Sequence, residues 1–212
     1  MTRRGSCRRS SSAWRRSRLE AAAVLALAAS CARPVPPSPD VVQRASSLAS
    51  YSASLRVSVN GRDLRGRSRA LVAFRRPDAL RIEIPGPSGA RLVAVARSGR
   101  LTAVVPAERA VLESAADPAD FESLLGIALR PEQLMDLLVG VAPAGARSYE
   151  TRWGRALPLR IDAVLGDGTK LKATVEEADA GESLAAAAFD PPPHPGYRPI
   201  DADEARRLLG GR

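Results

Sequence analysis

Histidine, cysteine and aromatic residues are all scarce in this 212-residue chain, and each scarcity removes a class of function. The single histidine, His194, sits in the run Pro191-Pro192-Pro193-His194-Pro195, which reads as a rigid loop near the C-terminus. Without a second histidine or a free cysteine, no His/Cys metal cluster can form, and no metal or other cofactor is expected. A Ser-His-Asp triad would have to use His194, yet no Gly-x-Ser-x-Gly elbow presents a serine. Gly-rich phosphate loops and the dinucleotide fingerprint are missing as well. Aromatics are 4% of residues, too few to line a carbohydrate cleft around paired acids. The acids group at Asp117, Asp120 and Glu122, a helix start where the dipole favours them, and at Glu176, Glu177 and Asp179, where they read as solvated charge at a strand end. The chain is therefore not expected to be an enzyme.

Arginine, by contrast, is abundant, and seven of the first 18 residues are arginine. They precede an apolar run at 21–29 that ends in Ser30-Cys31. A positive start, a short apolar core and small residues before a cut describe a secretory signal, here residues 1–30. The run is far shorter than the ~20 residues a spanning helix needs. Ala28-Ala29-Ser30-Cys31 resembles a bacterial lipobox, with Ala28 where leucine is usual. That resemblance implies that Cys31 carries a lipid, begins the mature chain and holds it on a membrane. Residues 31–39 are Pro-rich and read as an extended tether. Removing the signal removes Cys7 and leaves Cys31 without a disulfide partner, and lipidation accounts for such a leftover cysteine. The competing reading is a soluble secreted protein cut near the same place.

The formal charge of +9 belongs mostly to the signal. Residues 31–212 carry 25 basic and 22 acidic residues, a net +3, interspersed and without a basic block. Nucleic acid is thus not an expected partner. This length is enough for one domain with a real core, built mainly from Leu, Val, Ile and Ala.

Residues 40–50 have helical periodicity, with Val41, Val42, Ala45, Leu48 and Ala49 apolar and Asp40 as the expected N-cap. The period then becomes two: Leu55, Val57 and Val59 alternate with Ser54, Arg56 and Ser58 before the turn signal Asn60-Gly61. Further strands are expected at 65–74, 80–84, 91–97 and 101–105, with a turn or loop at 85–89. Asp117-Pro118 opens a helix carrying Phe121, Leu124, Leu125 and Ala128, and Pro131 opens a second one. Strands resume at 149–153, 157–165 and 170–176, the last two joined at Asp167-Gly168, a hairpin signal. Residues 201–209 form a terminal helix within 201–212. The fold class expected is mainly β (α+β): an incomplete antiparallel β-barrel over 40–200, with short helices as a lid or plug and helices at both termini.

This order of elements over residues 40–176 resembles the outer-membrane lipoprotein receptors of the LolB type, within the superfamily of lipoprotein-carrier folds. Three local matches carry it: Leu48-Ala49-Ser50-Tyr51 before the first strand; Pro87-Ser88-Gly89 between two strands; and residues 117–143, two helices ending in Gly140-Val141-Ala142-Pro143. The resemblance implies an apolar cavity for acyl chains and a protein that accepts lipoproteins from a periplasmic carrier at the outer membrane. Pro87, Ser88 and Gly89 then correspond to the family's protruding loop, with Ser88 where the family exposes a membrane-entering leucine. Ala32, in place of the aspartate of an inner-membrane retention signal, favours the outer membrane.

A curved sheet with an apolar concave face must be filled by helices or hold something else. Candidates for that face are Leu55, Val57, Leu71 and Phe74, then Leu80, Ile82, Ile84, Val93 and Val95. The helices offer Phe121, Leu124, Leu125, Leu134, Leu137 and Leu138. Two readings stay open: an acyl-binding cavity that localises or accepts lipoproteins, or a filled core in a non-transporting structural or assembly lipoprotein that serves as a partner-binding platform.

Overall fold

Period-two patterning builds an 11-residue strand, β1 (Ser50–Asn60), and a second, β2 (Arg65–Arg75), paired antiparallel along their whole length from Ser50↔Arg75 to Asn60↔Arg65. The computed structural model describes residues 37–62, 64–181 and 183–210; the expected signal at 1–30, Cys31 and most of the tether lie outside them. β3 (Ala79–Gly86), β4 (Gly89–Arg97), β5 (Arg100–Val105) and β6 (Ala110–Ala115) continue the sheet by antiparallel pairing on one side. On the other side of β1 lie β9 (Lys170–Ala180), β8 (Pro158–Val164) and β7 (Ser148–Trp153). β10 (Arg198–Pro199) adds to β6, in parallel. The order β10-β6-β5-β4-β3-β2-β1-β9-β8-β7 has two free edges, so the sheet is open and not closed. The fold is mainly β with a few short helices, the class expected from the patterning.

β6, β10 and two 3-10 turns, Pro106–Glu108 and Ala186–Phe189, were not among the expected elements. Two-residue β10 has no period to detect, and β6 is a short, largely apolar run that periodicity cannot assign. β9 runs to Ala180, four residues past the expected end. The β8–β9 connection is five residues, one more than expected because β8 ends at Val164; Asp167 closes it by accepting from the Thr169 amide at 2.9 Å and hydroxyl at 2.7 Å.

Helix α1 (Pro39–Ser46) is shifted towards the N-terminus: its N-cap is Ser38, two residues before the expected Asp40, which lies in its first turn. Pro39 supplies the helical φ, and the helix ends at Ser46, before residue 50. α2 (Pro118–Leu125) has the expected cap, the Asp117 carboxylate accepting from the Asp120 amide at 3.1 Å, and ends at Gly126 with φ +70°. α3 (Pro131–Leu138) begins at Pro131, and the Gln133 side chain accepts from the Arg130 amide. The terminal helix α4 (Ala202–Leu208) is capped by Asp201 and packs on α2, where Arg206 donates to Ser123 Oγ at 3.0 Å.

One face of the sheet and the helices enclose the main core, with Tyr51, Phe74, Leu80, Phe121 and Met135 nearly or wholly inaccessible at one end. Tyr51 and Phe74, paired across β1 and β2, stack with centroids 5.5 Å apart. Three residues expected on this concave face are on the other. Leu71 is 40% exposed, because Ala70, Val72 and Phe74 take the inward positions of β2 and strand alternation excludes Leu71. Val93 and Val95 point outward with Ala79 into a second small cluster sealed by Phe189, while Leu92, Ala94 and Ala96 face inward. A 3-10 turn that covers the convex face is what makes both sides of β4 apolar.

The Tyr51 hydroxyl is buried with no hydrogen-bond partner among the described residues, and burial pushes its pKa up to about 12 from 10.0. The folded protein thus favours the neutral phenol more than the unfolded chain does. The resulting stability is complete below pH ~10 and is lost as pH rises through ~12. Tyr51→Phe is expected to raise stability by about 1 kcal/mol at neutral pH, since it removes an unsatisfied polar group. It should also flatten the loss between pH 10 and 12, as read by denaturant unfolding across that range. An unchanged alkaline slope would show that other groups set it.

Candidate ligand-binding cavity

The strands bring long aliphatic side chains to one end of the concave face and aromatic ones to the other. At the aliphatic end, between the sheet and helices α2 and α3, lies a cavity of about 350 Å³. This falls within the ~300–1,000 Å³ usual for ligand pockets. By the yardstick of a ~150 Å³ apolar cavity that accepts benzene, it holds on the order of a dozen carbon atoms.

Nine of the residues expected to face such a space do so: Leu55, Val57, Ile82 and Ile84 from the sheet, with Leu124, Leu125, Leu134, Leu137 and Leu138 from the helices. Phe74, Leu80 and Phe121 face the same interior but lie in its filled part, outside the cavity wall. Leu71, Val93 and Val95 are on the far face, as described above. Sequence reading missed Val59, Ala70, Val72, Leu171 and Ala173, although strict alternation from Leu55 and Phe74, carried across the register, would have found them. Ile127, just past the Gly126 cap, and Leu209, after α4, complete the wall and carry no periodic signal.

The mouth is set by where the sheet comes apart. β2 pairs with β3 only from Leu71↔Glu83 to Arg75↔Ala79. If that register continued, Pro85 would stand opposite Arg69, and proline has no N–H to donate to a ladder. Among the described residues, residues 65–70 therefore pair with β1 alone, and β3 diverges from them. Residues 65–68 line one side of this split, with Gly66 and Ser68 at the inward positions of β2 and Arg65 and Arg67, by the alternation that turns Leu71 away, at the outward ones. On the other side the β3–β4 ladder skips a residue between Ile84↔Leu92 and Pro85↔Ala90. Arg91 is the extra residue, and bulges characteristically redirect a side chain; Arg91 lines the cavity and donates to the Leu209 carbonyl at 2.8 Å. The interior is thus aliphatic, with Arg91 among the residues that line it.

Pro87, Ser88 and Gly89 are exposed at the same end, where Pro87 and Ser88 form a two-residue turn between Gly86 and Gly89. This is a tight hairpin tip, a few residues from Ile84 and Arg91. His194 is elsewhere, its Nδ1 2.9 Å from the Pro192 carbonyl and its Nε2 3.6 Å from a Glu113 carboxylate oxygen. Glu176 is the extra residue of a bulge against β1 and accepts from Arg56 at 2.7 Å and Arg69 at 3.1 Å. Asp117 caps α2, and these acids do not meet at the cavity. Among the described residues no group of three or more His, Cys, Asp and Glu side chains could hold a metal ion.

No family model matches the chain, and no curated protein matches it in sequence. Among solved structures it is similar to an uncharacterised conserved protein from Thermus thermophilus, with 12% identity, a TM-score of 0.43, and coverage of 76% of this chain and 94% of that one. It is also similar to a LolA superfamily protein from Nitrosomonas europaea, at 8% identity and TM-score 0.41, covering 74% of this chain and 99% of that one. A third is a DUF1329 family protein from Desulfovibrio piger, at 13% identity and TM-score 0.40, covering 71% and 95%. Likeness at this level carries no argument about ligand or partner, and the geometry above stands without it.

Proposed function

We propose that this protein is a lipid-anchored envelope protein that holds one acyl chain in its cavity and does no chemistry on it. The chain would belong to a lipid or to an acylated lipoprotein passed on by a periplasmic carrier, and the anchor at Cys31 would keep the cavity at the membrane, by preference the outer one. The observation that carries this reading is the aliphatic cavity of about 350 Å³ between an open sheet and two short helices. Each methylene moved from water into such a space is worth ~0.8 kcal/mol, so a chain of about a dozen carbons needs no specific polar contact to bind. Ordering and association oppose that gain by several kcal/mol, which points to moderate, exchangeable affinity suited to transfer.

Ser88, exposed at the turn tip, offers no apolar side chain to insert in a membrane, and this favours the second reading, a platform that docks a partner. The two readings separate in one assay. The full chain is titrated with an uncharged fluorescent apolar probe, which a diacylated lipopeptide then competes for. Saturable binding with competition supports the acyl-chain reading. A folded protein that takes up no probe would overturn it in favour of the platform.

A further inference from the structure

Strand register gathers on one face of the sheet charges that lie scattered along the chain. On β1 the side chains of Arg56, Ser58 and Asn60 point away from the core, since Leu55, Val57 and Val59 take the inward positions. Their neighbours on β2 are Arg69, Arg67 and Arg65, and on β9 they are Thr174, Lys172 and Lys170. The same rows continue to Arg160 and Asp162 of β8. All seven of these cations are exposed. Two acids lie among them: Glu176, paired with Arg56 and Arg69 at 2.7 and 3.1 Å, and Asp162, paired with Arg160 and Lys172 at 2.6 and 3.6 Å. Arg65, Arg67 and Lys170 have no ion-pair partner among the described residues. Towards Ser50 the same face carries Glu177 and Asp179 instead, so the positive excess is confined to the end of the sheet where the cavity opens.

We propose that this convex face of β2, β1, β9 and β8 docks on an anionic lipid membrane. Each basic residue held near an anionic leaflet strengthens binding about fivefold. A protein partner would call for an aromatic or large aliphatic anchor at the centre of the patch. The centre here is Ser58, flanked by Arg67 and Lys172. Mobile lipid head groups need no such anchor, only spread charge, and no inserted side chain, in keeping with Ser88 at the hairpin tip. Gly66 and Ser68 line the cavity from the inner side of the strand segment whose outer side carries Arg65 and Arg67. A docked membrane thus lies close to the opening. The inference stands on this face alone and needs neither a lipid at Cys31 nor an occupied cavity.

The test is co-sedimentation with vesicles of phosphatidylcholine alone, or with about 30% phosphatidylglycerol added, at about 0.1 M salt. Residues 36–212 form one compact unit that holds the buried core, so the chain from Ala32 is used, free of the arginines before residue 19. It should bind the anionic vesicles at least about tenfold more tightly than the neutral ones, and about 0.5 M salt should abolish the difference. Arg65→Gln/Arg67→Gln/Lys170→Gln should weaken anionic binding about tenfold or more. Arg44→Gln/Arg100→Gln/Arg207→Gln removes the same charge from exposed positions elsewhere and should stay within about twofold. The same order is expected for the full chain, in which residues 1–30 are common to every variant. Equal losses in the two triple variants would overturn the proposal, since net charge and not this face would then drive binding. A folded chain that ignores anionic vesicles but binds polyglutamate would overturn it in favour of an acidic protein partner. Neither result touches the cavity reading, which probe uptake by the same preparations tests separately.

Discussion

Replacing Ala70 and Ala173 together with leucine is expected to weaken acyl-ligand binding by at least a hundredfold while the protein stays folded. Both alanines face the cavity from strands flanking β1, opposite Leu55 and Val57 respectively. Each substitution adds three carbons, so the pair removes about half of a space for roughly a dozen. At ~0.8 kcal/mol per methylene displaced from the site, the loss approaches 5 kcal/mol, and a hundredfold is a conservative reading of it. Stability should change by no more than about 1 kcal/mol, because the new side chains enter empty volume and not a packed core. Leu71→Phe, on the opposite face, is the matched control and should leave affinity unchanged. Probe titration together with denaturant unfolding reads both quantities. Wild-type affinity in the folded double variant would place the ligand somewhere other than this cavity. Ala70→Val alone should give an intermediate loss.

A single methyl group at Gly140 is expected to destabilise the fold by about 3 kcal/mol or more. Gly140 follows α3, is buried, and has φ +89°. A β-carbon there would collide with the Trp153 ring and come within 3.0 Å of Pro158 Cγ. A left-handed non-glycine residue costs about 1–2 kcal/mol by itself, and overpacking typically adds 1–3 kcal/mol. Gly145→Ala separates the two contributions, since Gly145 has φ +79° but nothing within 4 Å of where an added methyl group would sit. It should lose only the backbone share, about 1–2 kcal/mol. Midpoints of urea unfolding at unchanged slope give the comparison. Equal losses at the two positions would show that Trp153 yields freely, and that the exit of α3 is not tightly packed on the β7–β8 hairpin.

Much of the architecture was legible because its signals are local. The cap Asp117 with Pro118, the proline at the start of α3 and the alternation from Leu55 to Val59 each act over a few residues. β6 was not, since its short apolar run has no period to assign it although it pairs with neighbouring β5, and β10 was not, since its two residues exist as a strand only by pairing with β6, distant in sequence. Leu71, Val93 and Val95 show a different gap. An apolar residue in a strand does not say which face it takes when both faces have something to pack against, and Phe189 provides that second partner. The N-cap of α1 fell on Ser38 and not Asp40 because Pro39 already meets the demands of the first helical position.

The sequence by itself determined that the interior would be aliphatic. With eight aromatic residues in 212, it cannot fill a large concave sheet throughout. It did not determine where the shortfall would lie. The tertiary structure decided that, by gathering Tyr51, Phe74 and Phe121 with Leu80 and Met135 into the filled part and leaving Val57, Val59, Ala70 and Ala173 around the space. Register is the physical reason: once Tyr51 pairs with Phe74, alternation commits the small residues of β1, β2 and β9 to the other end. The opening likewise exists only in three dimensions, because it lies at a split that Pro85 and a one-residue bulge at Arg91 create together.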